Sequence, residues 1–357
     1  MRIVIMGASG NIGTAILERA ADPSAGGADE YVGVARRDPG NDRVYQRARW
    51  HLADVTDPAA TDRLTQIFTG ADAVVNLVWG FQPVRDAGYL ERVGVGGLRA
   101  VLAAARRAGV PHLVHMSSVG AYAAGHGRRV DESWSIAGIP ASVYSRQKAA
   151  AERVLDADEA TGGGPVVARL RPGLVLHRAA GSSLLRYGLP GWWPSWVLDL
   201  AAVLPLPGDF AVPVVHAHDL ADAVLATVRG RATGSFNLAA DQALTAADIA
   251  GALRAIRIPV PGTALRAVVA AGWALRLQRL DPGWIDLALA VPLLDNRRAR
   301  TELDWQPRYD ARTALQDLLA GMRGQQATSS PVLRTRTVAR ELWSAVRSGP
   351  ITRRPMA

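Results

Sequence analysis

The amino-acid sequence predicts an α/β protein built on a doubly wound parallel sheet, together with a second, smaller and mostly helical domain. Two observations support this fold class. Up to about residue 170, short β-branched runs alternate with longer stretches whose apolar residues have helical spacing. After Pro172 a Gly-, Pro- and Trp-rich stretch, 173–213, interrupts the pattern, and from about Thr245 to Arg323 the sequence is mostly helical.

The predicted strands are apolar on both faces, as expected for parallel strands covered by helices on each side. In the first part of the chain they are Ile3–Met6, Tyr31–Ala35, Ala73–Val78, His112–Met116 and Val166–Leu170. Apolar residues at i, i+3 and i+4 predict helices at Asn11–Ala21, Tyr89–Ala108 and Ser142–Asp156. A further helix near Asp219–Arg229 is flanked by two strands that we expect to return to the sheet, Val212–Ala217 and Ser235–Leu238.

These elements divide the chain into two domains and a tail. We expect both domains to be discontinuous. The sheet domain is predicted to comprise residues 1–172 and 211–240, and the smaller domain residues 173–210 and 241–323. Residues 324–357 are predicted to form a basic, flexible tail. Within it, Gln325–Pro331 has the composition of a linker and Thr337–Val346 is predicted to be a short helix.

The composition excludes several classes of chemistry. The chain has no cysteine, which excludes disulfides, thiolate nucleophiles and Cys-ligated zinc. No metal site is predicted, because His216 and His218 have no evident third ligand nearby. No signal-peptide pattern precedes the first strand, and no apolar run reaches the roughly 18 residues of a membrane span. A cytoplasmic protein without stable membrane insertion is therefore expected.

The net charge of +9 is unevenly distributed along the chain. From Gly324 onward, six arginines and one glutamate contribute +5, so the remaining 323 residues carry only +4. No basic stripe is interleaved with aromatic residues, which argues against a nucleic-acid partner. A small-molecule substrate is expected instead, and a homodimer is compatible with the sequence.

A glycine-rich turn follows the first strand directly and opens the first helix. Its residues are Gly7, Ala8, Ser9, Gly10, Asn11, Ile12 and Gly13. At such a turn, backbone amides and a helix N-terminus can hold a pyrophosphate, and glycines keep side chains out of its way. This placement predicts a dinucleotide-binding site.

The end of the second strand indicates which dinucleotide is bound. An acid there would hydrogen-bond a ribose 2′-hydroxyl, whereas an arginine would accommodate a 2′-phosphate. The chain has Arg36 and Arg37 at this point, and their planar guanidinium groups suit phosphate, so NADP is favoured over NAD. Asp38 keeps NAD as an alternative. Asp54 and Val55, after the third strand, are expected to frame the adenine.

Tyr144 and Lys148 are four residues apart, which places them on one face of the predicted helix. An adjacent ammonium favours the phenolate form of a tyrosine, which is otherwise a sluggish acid or base at neutral pH. The chain contains 40 arginines, and Lys148 is its single lysine. With seven tyrosines in 357 residues, chance would place that lysine four after a tyrosine only about 2% of the time. We therefore interpret the pair as catalytic.

Two serines follow the strand that ends at Met116, at the edge of the sheet where ligands bind in open α/β folds. A hydroxyl there can orient a substrate oxygen. Side-chain chemistry alone does not distinguish Ser117 from Ser118.

Together these motifs resemble the extended short-chain dehydrogenase/reductases, also called the NAD-dependent epimerase/dehydratase family. The likeness covers about residues 1–323. It is carried by Gly7–Gly13, Asp54-Val55, Asn76-Leu77-Val78, Ser118 four before Tyr122, Tyr144 with Lys148, Arg171-Pro172-Gly173, Pro213–Asp222 and Glu302–Pro307.

The resemblance implies roles for individual residues on a Rossmann-type fold. Tyr144 would be the acid/base, Lys148 would bind the ribose and tune the tyrosine, and Ser118 would hold the reacting oxygen. The cofactor would be lined by Leu77, Val78 and Trp79, with Pro172, Gly173 and Leu174 near the nicotinamide amide.

The chain departs from the family pattern at two positions. Gly94 stands where the family usually has an asparagine, which puts a supporting hydrogen bond in doubt. Trp79 is bulkier than the small residue usual after the cofactor-lining strand. It would either shape the substrate pocket or pack.

The resemblance leaves the reaction open, and local chemistry narrows it. Family dehydratases carry an acidic pair where this chain has Val119-Gly120, so such a dehydratase is disfavoured. The expected substrate region is apolar and aromatic, with Arg186 as its notable charge. We expect substrate contacts from Trp79, Phe81, Ser118, Arg186 and Trp192.

The favoured hypothesis is an NAD(P)-dependent oxidoreductase that interconverts a carbonyl and a secondary alcohol on a moderately apolar small molecule. The alternatives are an NAD-dependent sugar-nucleotide epimerase and a non-catalytic NADP-sensing protein.

Overall fold

The computed structural model describes residues 1–22, 29–80, 86–188, 202–275, 277–278 and 280–335. The strands of this part of the chain are β1 (Arg2–Met6), β2 (Glu30–Ala35), β3 (Ala48–Leu52), β4 (Ala73–Asn76), β5 (His112–Met116), β6 (Arg129–Val130), β7 (Val166–Pro172), β8 (Leu174–Leu176), β9 (Val203–Leu206), β10 (Ala211–Val212), β11 (Val214–His216), β12 (Gly234–Leu238), β13 (Leu244–Thr245), β14 (Ile256–Pro259) and β15 (Leu293–Leu294).

Helices cover both faces of the central sheet, and further helices follow its last strand, β12, along the chain. They are α1 (Asn11–Ala20), α2 (Ala60–Phe68), α3 (Ala87–Glu91), α4 (Gly97–Arg107), α5 (Val143–Thr161), α6 (Gly181–Gly188), α7 (Ala217–Gly230), α8 (Ala246–Leu253), α9 (Gly262–Ala274), α10 (Pro282–Ala290), α11 (Arg297–Glu302) and α12 (Ala311–Arg323). None of these helices is long and apolar enough to cross a membrane.

Seven strands form the central sheet in the order β12-β7-β5-β4-β1-β2-β3, and every neighbouring pair is parallel. The chain winds outward from β1 in both directions, so the order reverses between β1 and β4. Loops leaving the carboxyl ends of these two strands diverge there, and the crevice between them is where such folds bind ligands. The predicted doubly wound parallel sheet is confirmed.

Two apolar layers cover the sheet, as the alternation of side chains along β1 illustrates. Ile3 and Ile5 face the layer that contains α1 and α7, whereas Val4 and Met6 face the layer that contains α2, α4 and α5. All four side chains are at most 1% exposed. Burial on both faces explains why the strands are continuous apolar runs.

Two elements differ from the sequence predictions by more than their end residues. The helix predicted at Tyr89–Ala108 begins at Ala87 and contains a π-helical turn, Arg92–Gly96, between α3 and α4. The strand predicted at Val212–Ala217 is split at Pro213, which has no N–H to donate. Its second part, β11, pairs with β8 and does not rejoin the central sheet as predicted.

A third apolar cluster contains residues of the helices after Thr245 and of segments that leave the central sheet. It joins α10 and α12 to the loops above the sheet, and its buried members include Tyr122, Val212, Leu244, Leu287 and Leu318. This cluster lies against the carboxyl edge of the sheet and so closes one side of the crevice.

The segment predicted to be a linker packs against the sheet domain instead. Ser330 is fully buried, and its hydroxyl donates to the backbone oxygen of Ser9 at 2.7 Å. Next to it, the hydroxyl of Thr328 lies 2.8 Å from that of Tyr45. The prediction of a flexible Gln325–Pro331 was wrong because its hydroxyl-rich composition serves tertiary hydrogen bonds. The predicted helix at 337–346 lies outside the described residues.

Candidate active site

A cavity of about 500 Å³ lies in the crevice at the carboxyl edge of the sheet. It brings together most of the predicted site residues, namely Gly7, Ser9, Gly10, Asn11, Ile12, Gly13, Arg36, Arg37, Val55, Leu77, Val78, Trp79, Ser118, Tyr144, Lys148, Pro172, Gly173 and Leu174. Apart from Tyr144 and Lys148, which lie in α5, they are at or just after the ends of six strands of the central sheet, so their convergence is a consequence of the parallel sheet.

The glycine-rich turn forms one end of the cavity. Gly7 has a φ of +78°, which favours glycine, and its N–H donates to the oxygen of Val34 at 2.8 Å. A Cβ on Gly13 would lie 2.4 Å from the oxygen of Ala8, so only glycine allows the helix to approach the turn. α1 begins at Asn11, and no side chain caps its first turn. The positive end of the helix dipole therefore faces the cavity.

Arg36 and Arg37 line the cavity beyond the second strand. The Nη1 of Arg36 donates to the hydroxyl of Tyr89 at 2.7 Å and lies 3.9 Å from a carboxylate oxygen of Asp54. Asp38 is not among the lining residues, and its carboxylate accepts a hydrogen bond from the N–H of Gly40 at 2.7 Å. Asp38, the acidic residue that would favour NAD, thus accepts a hydrogen bond within its own turn.

The predicted pair Asp54-Val55 is divided between two roles. Val55 lines the cavity, whereas one oxygen of Asp54 accepts hydrogen bonds from the backbone and hydroxyl of Thr56. Asp54 is not among the lining residues.

Tyr144 and Lys148 lie one turn apart near the start of α5, whose N-cap is Ser142. The Tyr144 side chain is hydrogen-bonded to Ser118, and the hydroxyl of Ser118 also accepts from the N–H of Gly120 at 3.0 Å. A Cβ on Gly120 would lie 2.9 Å from a ring carbon of Tyr144. Glycine at this position therefore allows the phenol to reach the serine.

The structure distinguishes the two serines after β5. The Ser117 hydroxyl donates to Glu152 at 2.6 Å, and Glu152 is also bound by Arg169 at 3.0 Å and Arg171 at 2.8 Å. Although burial opposes it, hydrogen bonds from Arg171 and Ser117 hold the pKa of Glu152 at about 2. Ser117 thus belongs to a buried ion cluster, while Ser118 faces Tyr144.

A sequence profile described as the NAD dependent epimerase/dehydratase family matches residues 3–239. The chain belongs to this family. The match begins in β1, contains the glycine-rich turn, Ser118, Tyr144 and Lys148, and ends just after β12. The family resemblance predicted from the motifs is confirmed, and with it the Rossmann-type fold.

Solved structures with the same fold include a UDP-glucose 4-epimerase from Stenotrophomonas maltophila, crystallised with NAD and formylated UDP-arabinopyranose. It has a TM-score of 0.68 and 19% identity, covering 91% of this chain and 98% of the other. DesIV from Streptomyces venezuelae, a dTDP-glucose 4,6-dehydratase crystallised with NAD, has a TM-score of 0.67 and 20% identity, covering 91% and 97%. At these identities the likeness shows the fold.

Among curated proteins, an uncharacterised protein of Mycobacterium tuberculosis and one of Mycobacterium bovis are each 28% identical over 332 residues. The alignment covers 91% of this chain but spans only about 30% of the length of these relatives.

The two family departures identified in the sequence are in contact. A Cβ on Gly94 would lie 3.1 Å from the Trp79 indole, and Gly94 belongs to the π-helical turn between α3 and α4. The Trp79 ring also covers Lys148, with the Nζ 3.5 Å from a ring centre. The Trp79 indole thus packs against both Gly94 and the ammonium of Lys148. A side chain larger than that of glycine at position 94 would compete with the indole for this space.

Burial perturbs both members of the Tyr-Lys pair. It raises the pKa of Tyr144 to about 12, against an opposing hydrogen bond from Ser118. It lowers the pKa of Lys148 to about 7, against the charge of Glu152. The Nζ donates to the oxygen of Met116 at 2.9 Å and lies 5.8 Å from the centre of the Tyr144 ring. The expected stabilisation of the phenolate by the ammonium is not evident in this arrangement.

Several lining residues have no signal in the sequence. Trp284 of α10 packs at 4.9 Å against the Tyr144 ring, and Pro331–Leu333 line the cavity near the glycine-rich turn. Of the predicted substrate contacts, Phe81 and Trp192 lie outside the described residues. Arg186 lies in α6 beyond its last described side chain, Leu185.

Proposed function

We propose that this family member is an NADP-dependent oxidoreductase that interconverts a carbonyl and a secondary alcohol on a moderately apolar small molecule. The observation that supports the proposal is a shared cavity. Ser118, Tyr144 and Lys148 line the same space as the glycine-rich turn and the two arginines after the second strand. This shared cavity supports a site in which one substrate would contact both hydroxyls and a bound dinucleotide.

The residues at the turn fit a dinucleotide. Gly7 adopts a positive φ and Gly13 allows α1 to pack closely on the turn, so that the uncapped N-terminus of α1 faces the cavity. Arg36 and Arg37 would hold a 2′-phosphate, and Asp38, which accepts a hydrogen bond within its own turn, is not among the residues that line the cavity. These observations favour NADP, whereas the solved structures named above contain NAD.

The proposed chemistry assigns one step to each polar side chain. When bound, a nicotinamide dinucleotide would supply or accept the hydride. In the reducing direction, Ser118 would orient the carbonyl oxygen and Tyr144 would donate its phenolic proton to that oxygen. Lys148 would hold ribose hydroxyls and, when protonated, would stabilise the phenolate left on Tyr144.

The side of the cavity beyond Tyr144 favours an apolar substrate. Trp284, Leu287 and Val291 line it together with Leu184 and Phe210. Buried apolar walls with a few convergent polar groups suit a ring or chain of modest polarity.

The second candidate function is a sugar-nucleotide epimerase. It is favoured because the solved structures with the same fold include a UDP-glucose 4-epimerase and a dTDP-glucose 4,6-dehydratase.

Cofactor titration followed by turnover tests the proposal. We expect protein fluorescence to report tighter binding of NADPH than NADH, and Arg36→Ala to weaken NADPH binding by about 10- to 100-fold, because one charge-assisted contact contributes about 1.5–3 kcal/mol. A panel of apolar ketones and aldehydes should then be reduced by wild type and not by Tyr144→Phe. NAD retained through purification, with turnover of a nucleotide sugar, would instead support the epimerase.

Cofactor binding without turnover of any panel member, and without epimerisation, would favour the third hypothesis, a non-catalytic NADP-sensing protein. Retained activity in Tyr144→Phe would contradict the assigned acid/base.

A further inference from the structure

Glu18, His177 and His218 converge on one point behind the glycine-rich turn. Glu18 lies on α1, His177 follows β8, and His218 is in the first turn of α7. One oxygen of Glu18 lies 3.2 Å from the Nε2 of His177 and 2.9 Å from the Nε2 of His218. The three potential ligand atoms all lie within 4.8 Å of one another. Three segments that are distant in sequence thus supply one carboxylate and two imidazoles.

The orientation of His177 is fixed from its other side. Its Nδ1 lies 2.9 Å from the side-chain oxygen of Asn11, and an amide oxygen only accepts. Nδ1 therefore carries the hydrogen, and in a neutral ring the lone pair is on Nε2. That lone pair faces a carboxylate oxygen, so a positive charge is needed between His177 and Glu18. Metal-bound imidazoles characteristically donate their second N–H to an oxygen in this way.

The neighbouring charged groups do not supply that charge. Arg178 is paired with Asp317, and Arg19 with Asp22 and Asp222.

His216 supports the cluster without being a ligand. Its Nδ1 accepts from the backbone N–H of His218 at 3.2 Å, so its Nε2 carries the hydrogen that faces Asp317 at 3.3 Å. The ring is stacked on Tyr309, with centroids 3.8 Å apart. Both nitrogens are engaged, which leaves three ligands and not four.

We propose that Glu18, His177 and His218 bind a divalent transition-metal ion, with zinc as the best match. Two imidazoles and one carboxylate form a known zinc donor set, which leaves a fourth position for water. Ligands about 2.0–2.1 Å from a tetrahedral ion are about 3.3 Å apart, close to the 2.9 and 3.2 Å seen here. The side chains of Glu18 and His218 are 34% and 30% exposed, so solvent reaches the cluster.

The site would join the cofactor end of the fold to the smaller domain. Metal binding would tie α1 to α7 and to His177, which precedes α6. Asn11, which orients His177, also lines the cavity as part of the glycine-rich turn. We therefore expect an increase in thermal stability on binding, by linkage between metal binding and folding.

The test uses the full chain without a purification tag, treated with a chelator and then dialysed. Cobalt(II) serves as a spectroscopic probe, and zinc binding is measured by calorimetry. We expect one ion per chain, visible absorption bands of tetrahedral cobalt, and a higher midpoint of thermal unfolding with zinc. His218→Ala and Glu18→Gln should each weaken zinc binding at least about 100-fold, because direct ligands count for more than outer-shell partners.

His51→Ala is the matched control, because His51 is exposed on β3 and distant in sequence from the cluster. His218 is partly exposed, so its variant is expected to fold even if a His177 variant does not. Zinc binding that His218→Ala and Glu18→Gln leave unchanged would overturn the proposal. A chain that binds no zinc would overturn it as well. Neither outcome depends on NADP binding or turnover.

Discussion

The indole of Trp79 lies 3.1 Å from the point that a Cβ on Gly94 would occupy. Two departures from the family pattern that are separate in the sequence are therefore one packing arrangement in space. The same indole lies over the Nζ of Lys148 at 3.5 Å, so this pair of residues shapes the surroundings of the proposed catalytic lysine. A bulky residue at 79 requires a small one at 94.

Gly94→Asn is expected to lower the free energy of unfolding by about 1–3 kcal/mol, because it overpacks the contact with Trp79. Trp79→Ser combined with Gly94→Asn should recover much of that loss, and a double-mutant cycle measured by denaturant unfolding gives the coupling. Gly96→Asn is the control, since a Cβ there would meet only an oxygen 3.7 Å away. Additive effects of the two changes would contradict the packing argument.

The two serines after β5 should separate catalysis from stability. Ser118→Ala is expected to lower kcat about 10²- to 10³-fold, as for the loss of one donor that stabilises a reacting oxygen. Ser117→Ala should leave kcat nearly unchanged and lower the free energy of unfolding by about 1–3 kcal/mol, because it removes a hydrogen bond to the buried Glu152. Steady-state kinetics and urea unfolding of both variants check this, and the reverse pattern would exchange the assigned roles.

Lys148 should make stability depend on pH. Burial lowers its folded-state pKa from 10.5 to about 7, so above pH 7 the unfolded chain binds the proton more tightly. Stability should therefore rise with pH between about 7 and 10.5, while below pH 7 both states are protonated and the full cost of the buried charge remains. Lys148→Met should flatten this rise and increase stability at pH 6 by on the order of 1 kcal/mol.

Arg153→Met, an exposed change on the same helix, is the control for that pH series. If the unfolding free energy of wild type and Lys148→Met varied in parallel from pH 6 to pH 10, the lowered pKa of the lysine would be contradicted.

The parts of the site that the sequence predicted are those fixed by local geometry. Gly7 through Gly13 follow a strand and open a helix, and Tyr144 and Lys148 are one helical turn apart, so their arrangement needs no knowledge of distant contacts. Trp284 and Leu333 could not be predicted, because they reach the cavity from the C-terminal part of the chain through tertiary packing alone. The linker prediction was wrong because tertiary contacts again decide the outcome. Hydroxyl-rich segments are typical both of solvated linkers and of hydrogen-bonded contacts.

Residues 328–333 should slow the release of a bound dinucleotide, because this segment lies across the glycine-rich turn and lines the proposed cofactor cavity. Leu333 is 1% exposed, so Leu333→Asp should detach the segment through the cost of burying a carboxylate. We expect NADPH to dissociate at least about 10-fold faster, equivalent to 1.4 kcal/mol, in stopped-flow fluorescence. Thr335→Asp adds the same charge at an exposed position and should leave the rate unchanged. Slower release from Leu333→Asp would mean that the segment restricts entry of the dinucleotide, and unaltered release would mean that it takes no part in binding. If the wild-type protein bound no NADPH at all, the cofactor assignment itself would be contradicted.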